Sequence, residues 1–267
     1  MVLGAVALSV FRESVRDRVF YNLLLFAVLL VAASFLVGQL TAGQDIKIMK
    51  DLGLAATALF GLFIAVFVGI GLVWKEVERR SVYSLLAKPV HRSQLVLGKY
   101  LGLALTLAVN VCVMTAVVYA LLAYVDWTAP EAMRAAAEAP ALDPRMLLAI
   151  LLVFAQLLIV VAVALFFSTF AGPMVSAALT FGVYIVGHFN ADLKNFEAVV
   201  PSAGVAWLAR ALYYLLPNLA PFDIKAQVVH GEPVAAGYVV LTLAYAAVYI
   251  AALLLASCVI LARRDLK

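Results

Sequence analysis

The stretch KEVERRSVYSLLAKPVHRSQLVLGK, residues 75–99, decides how the rest of this chain is arranged. It lies between two apolar runs, each long enough to cross a bilayer, and it holds six of the nineteen Lys and Arg residues. Lys and Arg concentrate in short cytoplasmic loops beside membrane spans, so this density predicts that the stretch faces the cytoplasm. Within it Val77, Val82, Leu85 and Leu86 recur at roughly helical spacing, and Glu78, Arg79 and Arg80 supply charge. That pattern predicts a short amphipathic helix. Pro89 stops it from running into the next span, because proline lacks an N–H and collides with the preceding turn.

Composition excludes a soluble globular protein. Hydrophobic residues make up 67% of the chain and charged residues only 13%, with a mean hydropathy of +1.10, whereas ordinary domains carry about 25% charge. The net charge of +4 therefore concerns topology and the anionic lipid face rather than nucleic acid. Cys112 and Cys258 both sit inside apolar runs, as packing residues do, and form neither a disulfide framework nor a zinc pattern.

A helix needs about 20 apolar residues to cross the hydrocarbon core. Six runs qualify as spans, at 19–40, 52–74, 100–124, 146–170, 173–189 and 236–262, the fifth being the shortest. The predicted fold is all-α, a single polytopic domain over 1–267. With both termini inside, twelve Lys and Arg fall on the cytoplasmic side and seven outside, as the positive-inside rule requires.

Residues 3–18 precede the first span and divide by face. Leu8, Phe11, Val15 and Val19 lie on one side, and Arg12, Glu13, Arg16 and Asp17 on the other. This predicts a helix over 1–18 lying in the cytoplasmic interface. The run 19–40 is longer than the apolar stretch of a cleaved signal peptide and lacks a clear small-residue cleavage site.

Three segments fall outside on this topology. Residues 41–51 read as a short polar turn, and 125–144 as a small helix with flexible ends. Residues 190–235 are too long and too apolar for a simple loop. Within them Val205, Leu208, Leu212 and Leu215 share a helical face, and Pro217-Asn218 ends the run. A re-entrant or interfacial helix is predicted there.

Polar residues at membrane depth are candidates for function, and they are sparse. Asn110 falls near the middle of the third span and Gln156 near the middle of the fourth, with Thr106, Thr115 and Ser176 beside them. Each amide needs a partner, either on another helix or along a water-filled path. No Asp, Glu, Lys or Arg lies deep in a predicted span, which argues against a proton-driven transporter. Gly98 and Gly102 form a GxxxG pattern at the head of the third span, suited to close helix packing or a dimer interface.

Other chemistry finds no support. Gly98-Lys99 is followed by Tyr100 and preceded by Ser93 where a P-loop needs glycine, so no ATP site of that kind exists here. There is no HExxH pattern, and His91, His188 and His230 are scattered over different segments, so neither a catalytic residue nor a metal ligand set is assigned. No serine or cysteine occupies a nucleophile motif.

The central stretch resembles the cytoplasmic loop of type-2 ABC transporter permeases. The matching pattern is Glu76 after the second span, Glu78-Arg79-Arg80-Ser81, Leu85-Leu86, Lys88-Pro89-Val90 with Arg92, and Gly98-Lys99 opening the third span. The resemblance extends loosely over the whole chain, including the N-terminal connecting helix and the helix between spans five and six. It implies that residues 75–87 are a coupling helix docked on a separate ATPase subunit. Glu76, Glu78, Arg79 and Arg80 would pair with charges there, and Leu85 and Leu86 would fill its groove. Ser81, Pro89 and Arg92 complete the motif. One departure is that Arg80-Ser81 stands where many members have Gly-Thr or Arg-Thr.

The resemblance further implies a multi-pass permease of an exporter in the bacterial cytoplasmic membrane, paired with a second permease copy, identical or related. ATP and Mg would belong to the ATPase, with no cofactor in this chain. Two other classes remain, an integral membrane enzyme acting on lipid and a scaffold without transport. The enzyme would need a cluster at one membrane face, and Asp192, Glu197, Asp223 and His230 are its only candidates, separated by an apolar helix.

Overall fold

The computed structural model describes residues 2–39, 45–71, 92–128, 140–189 and 203–263. Among these residues every regular element is helical. In chain order they are α1 (Val2–Val15), α2 (Arg18–Gln39), α3 (Asp45–Phe63) and α4 (Arg92–Thr128). Then follow α5 (Arg145–Ser168), α6 (Pro173–His188), α7 (Ala203–Leu215), α8 (Lys225–Val229) and α9 (Ala236–Arg263). A π turn, Ile64–Val68, continues α3 as far as Gly71.

Local chemistry explains where several of these helices begin. The Asp17 carboxylate accepts the Val19 N–H at 2.9 Å and caps α2, and Asp143 does the same for Arg145 at the head of α5. Gly172-Pro173 starts α6, since a first-turn proline surrenders an N–H that had no helical partner.

Among the described residues five helices are long and apolar enough to cross a membrane: α2, α3 with its π turn, α4, α5 and α9. The sixth, α6, has 16 residues, about 24 Å against a hydrocarbon core of about 30 Å. The fifth predicted span is therefore present but does not reach across.

The core sits around α3 and α5, whose apolar windows are 72% buried, against 22% for α2 and α9. α3, α4 and α5 pack on one another, α2 leans on α3, and α9 lies along α5 and α4. The side of the bundle where α3 ends and α4 begins is here called the loop side, because residues 72–91 connect there. The opposite, far side carries the starts of α3, α5 and α9.

α1 docks on the loop-side end of α4 rather than standing alone. Its packed stripe is Val6, Val10 and Ser14, with Ser14 fully buried and donating to the Val10 carbonyl at 2.8 Å. The expected apolar face fares differently, for Leu8 is exposed and Phe11 and Val15 are half-buried. A Cβ on Gly102 would come 2.6 Å from the Ala7 carbonyl, and one on Gly98 would meet Val6 at 2.6 Å. The GxxxG pattern thus seats α1 within the chain.

Two boundaries differ from the sequence expectation. Residues 45–51, read as a polar turn, are the first turns of α3, because Lys50 finds a buried carbonyl partner. Helix α4 starts at Arg92, so 92–99 belong to it and not to the loop.

Candidate functional site: a polar cleft on the far side

Hydroxyls inside the bundle mostly satisfy themselves. Thr57, Thr106, Thr115, Thr180, Thr242 and Ser257 each donate to the carbonyl four residues back, at 2.7–3.0 Å. The two amides cannot do so, and they go separate ways.

Gln156, buried in the middle of α5, meets His188 at the end of α6, with Nε2 to Nε2 at 2.9 Å. His188 Nδ1 lies 2.9 Å from the Tyr184 carbonyl, which can only accept. The ring proton is therefore on Nδ1, and Nε2 accepts from the Gln156 amide. The Tyr184 ring packs on the imidazole at 4.5 Å between centroids.

The chain that follows α7 closes this cluster from the far side. Leu219 N–H donates to the Gly187 carbonyl at 2.9 Å, an approach that only glycine permits, because a Cβ there would come 2.8 Å from the Pro217 carbonyl. Three tyrosines of α9 hold the chain from the end of α7 through the tight helical turn Ala220–Phe222. Tyr238 donates to Pro221 O at 2.7 Å, Tyr245 accepts from Asn218 N–H at 2.9 Å, and Tyr249 donates to Leu215 O at 2.9 Å. Tyr249 stands roughly 20 Å along α9 from its start, so irregular backbone reaches about half the depth of the bundle. At such depth backbone of this kind survives only against protein or a water-filled cavity.

Here the segment is bordered both by packed protein and by a cleft. Leu219, Phe222 and Val228 are fully buried, and α8 packs on α3 and α5. Beside them opens a cleft of about 360 Å³ lined by Asp51, His188, Ala220, Asp223, Lys225 and Ala226. Lys225 pairs with Asp223 at 3.5 Å, and His188 lines the same cleft.

A second buried polar group lies near that face. The Lys50 side chain is 1% exposed, and its ammonium donates to Pro140 O at 2.7 Å under the influence of Asp143. Tyr119 donates to Asp143 O at 2.9 Å, while Asp143 Oδ2 is buried without a hydrogen bond.

Asn110 differs from all of these. It is fully buried in the middle of α4, and neither its Oδ1 nor its Nδ2 has a hydrogen-bond partner. Leaving such a group unpaired costs about 1–3 kcal/mol.

Of the residues assigned from sequence to ATPase coupling, Glu76, Glu78, Arg79, Arg80, Ser81, Leu85, Leu86 and Pro89 lie outside the described residues, and Arg92 is the first residue of α4. Gln156 joins a cluster, as an intramembrane amide should. The sequence reading missed Tyr184, the tyrosines of α9 and the burial of Lys50. Tyrosines spaced seven and four apart on α9 were a usable signal, since that spacing places them on one helical face.

The family model described as ABC-2 family transporter protein matches residues 5–266, nearly the whole chain. This chain belongs to the ABC-2 transporter family. No curated protein matches it. As an ABC-2 protein it is a membrane component of an ABC transporter, a role that is not itself catalytic. Membership also implies association with an ABC ATPase subunit. Among its described residues no group of three or more His, Cys, Asp or Glu is placed to hold a metal ion.

Proposed function

We propose that this ABC-2 protein is the permease subunit of an ATP-driven exporter in the bacterial cytoplasmic membrane, and that its whole length forms one permease domain. The bundle, with five spans and one short helix among its described residues, offers half of a translocation path, so a second permease copy, identical or related, completes it. Both termini and residues 75–91 face the cytoplasm.

The coupling step is mechanical. A separate ATPase binds ATP and Mg, and its closure pushes residues 75–87, about 20 Å long if helical. Glu76, Glu78, Arg79 and Arg80 pair with its charges, Leu85 and Leu86 fill its groove, and Ser81, Pro89 and Arg92 shape the loop. The displacement passes into α3 and α4, which the loop joins. On the far side the Gln156–His188 cleft is where cargo leaves, since it combines intramembrane polar groups with an opening.

The observation that carries this reading is the family match over residues 5–266, together with the motif between α3 and α4. A sided-labelling experiment tests it. Ser84→Cys, in a background with Cys112 and Cys258 replaced by Ala, should react with a membrane-impermeant maleimide only in inside-out vesicles. An ATPase should co-purify from native membranes. Labelling in right-side-out vesicles contradicts the proposed orientation, and the absence of any ATPase contradicts the coupling.

A further inference from the structure

α3 and α6 line one groove whose two ends differ in chemistry. On α3 every fourth residue from Asp51 through Ala55, Leu59 and Phe63 to Phe67 is at least partly accessible, while most of the residues between them are buried. On α6 Phe181, Tyr184 and His188 recur at helical spacing. Phe63, Phe67 and Phe181 form one cluster, with ring centroids 5.9–6.1 Å apart, where α6 packs on the wide turn Ile64–Val68. Towards the far side the same two helices supply Asp51 and His188 to the cleft of about 360 Å³. Asp51 and Phe63 lie about 18 Å apart along α3.

The polar end has a definite charge. Its charged lining consists of Asp51, Asp223 and Lys225. Lys225 pairs with Asp223 at 3.5 Å, whereas Asp51 is exposed and has neither a hydrogen bond nor an ion pair among the described residues. His188 adds no charge, because the Tyr184 carbonyl and the Gln156 amide engage both of its nitrogens in the neutral form. Lys50, the neighbour of Asp51, is buried and turned to the Pro140 carbonyl. One negative charge is therefore left over in the cleft.

We propose that this groove holds an amphiphile with a protonated amine head, the amine set against Asp51 and the apolar body lying past Leu59 to the rings of Phe63, Phe67 and Phe181. Lipid tails are as apolar as these side chains, so the rings align the tail without favouring it over bulk lipid. The preference comes from the charge pair at Asp51. A phosphate or carboxylate head meets the leftover negative charge and is disfavoured, and a neutral alcohol gains nothing from it. As cargo, the amphiphile enters the groove from the bilayer, with its head already in the cleft from which it leaves. That role rests on the transporter reading, but the binding site does not, and the test separates them.

Photolabelling of the permease without its ATPase tests the site. The probe is tetradecylamine with a diazirine at the end of its chain, in phosphatidylcholine nanodiscs at pH 7. Labelling should saturate, and the adducts should map to residues 59–67 of α3 and 178–185 of α6. Untagged tetradecylamine should compete at least about five-fold better than tetradecanol or tetradecyl sulfate. Asp51→Asn should raise the half-saturating concentration by a similar factor, and Asp51→Glu should restore it. Asp51→Asn removes no bond, so the thermal midpoint should stay unchanged and lost labelling reports the site. Labelling that does not saturate, that ignores Asp51→Asn, or that tetradecyl sulfate blocks as well as the amine does, overturns the proposal and leaves the permease reading standing. In vesicles with the co-purified ATPase, tetradecylamine should stimulate ATP hydrolysis in the wild type and not in Asp51→Asn. Saturable labelling that depends on Asp51, without stimulation, overturns the role as cargo.

Discussion

Gln156 on α5 donates to His188 at the end of α6 across 2.9 Å, because the Tyr184 carbonyl holds the ring proton on the other nitrogen of this cleft-lining histidine. Removing either partner strands the other. Gln156→Leu and His188→Leu should each destabilise the protein by about 2 kcal/mol, while the double substitution costs clearly less than their sum. Unfolding in a mixed-micelle titration measures this double-mutant cycle.

Gly102 lies so close to α1 that a side chain there must displace the helix. Gly102→Val should cost about 1–3 kcal/mol through overpacking and free α1 from α4. Trypsin cleavage at Arg12 and Arg16 should then accelerate at least several-fold. Gly4→Ala, with nothing within 4 Å of its added methyl, should leave cleavage unchanged.

The tyrosines of α9 hold the backbone that follows α7. Tyr245→Phe leaves the Asn218 N–H without its acceptor, and Tyr249→Phe leaves the Leu215 carbonyl without its donor. Each should cost about 1–2 kcal/mol. Hydrogen exchange at 216–222 should quicken in both variants, while exchange in the middle of α5 stays at the wild-type rate.

Lys50 and Asp143 are a buried cation and a buried carboxylate in electrostatic contact. Lys50→Met should destabilise by about 1–3 kcal/mol, because it strands the Pro140 carbonyl and removes the charge that acts on Asp143. Adding Asp143→Asn should recover part of the loss, since Oδ1 can still cap Arg145. Thermal unfolding at pH 7 checks both.

Much of the fold was legible because the bilayer imposes lengths. The spans at 19–40, 146–170 and 236–262 fall within two residues of α2, α5 and α9 at each end, since hydrophobic runs bounded by charge or proline admit few alternatives. Residues 45–51 were misplaced because Lys47, Lys50 and Asp51 look solvated, and only a tertiary contact with Pro140 buries one of them. The partner of Gln156 was not legible, for it depends on α6 stopping short, and neither was the isolation of Asn110. Gly98 and Gly102 announced a close helix contact but not its owner, which is α1 of the same chain.

Force from the ATPase enters the bundle through residues 75–87 in the proposed mechanism. The direct measurement is ATP hydrolysis by the co-purified complex in lipid vesicles, compared between wild type and Glu78→Arg with Leu85→Asp. The complex should fall apart and permease-stimulated hydrolysis should drop at least ten-fold, with the thermal midpoint of the isolated permease unchanged. A variant that still binds its ATPase and stimulates it to the wild-type rate would contradict the coupling assignment.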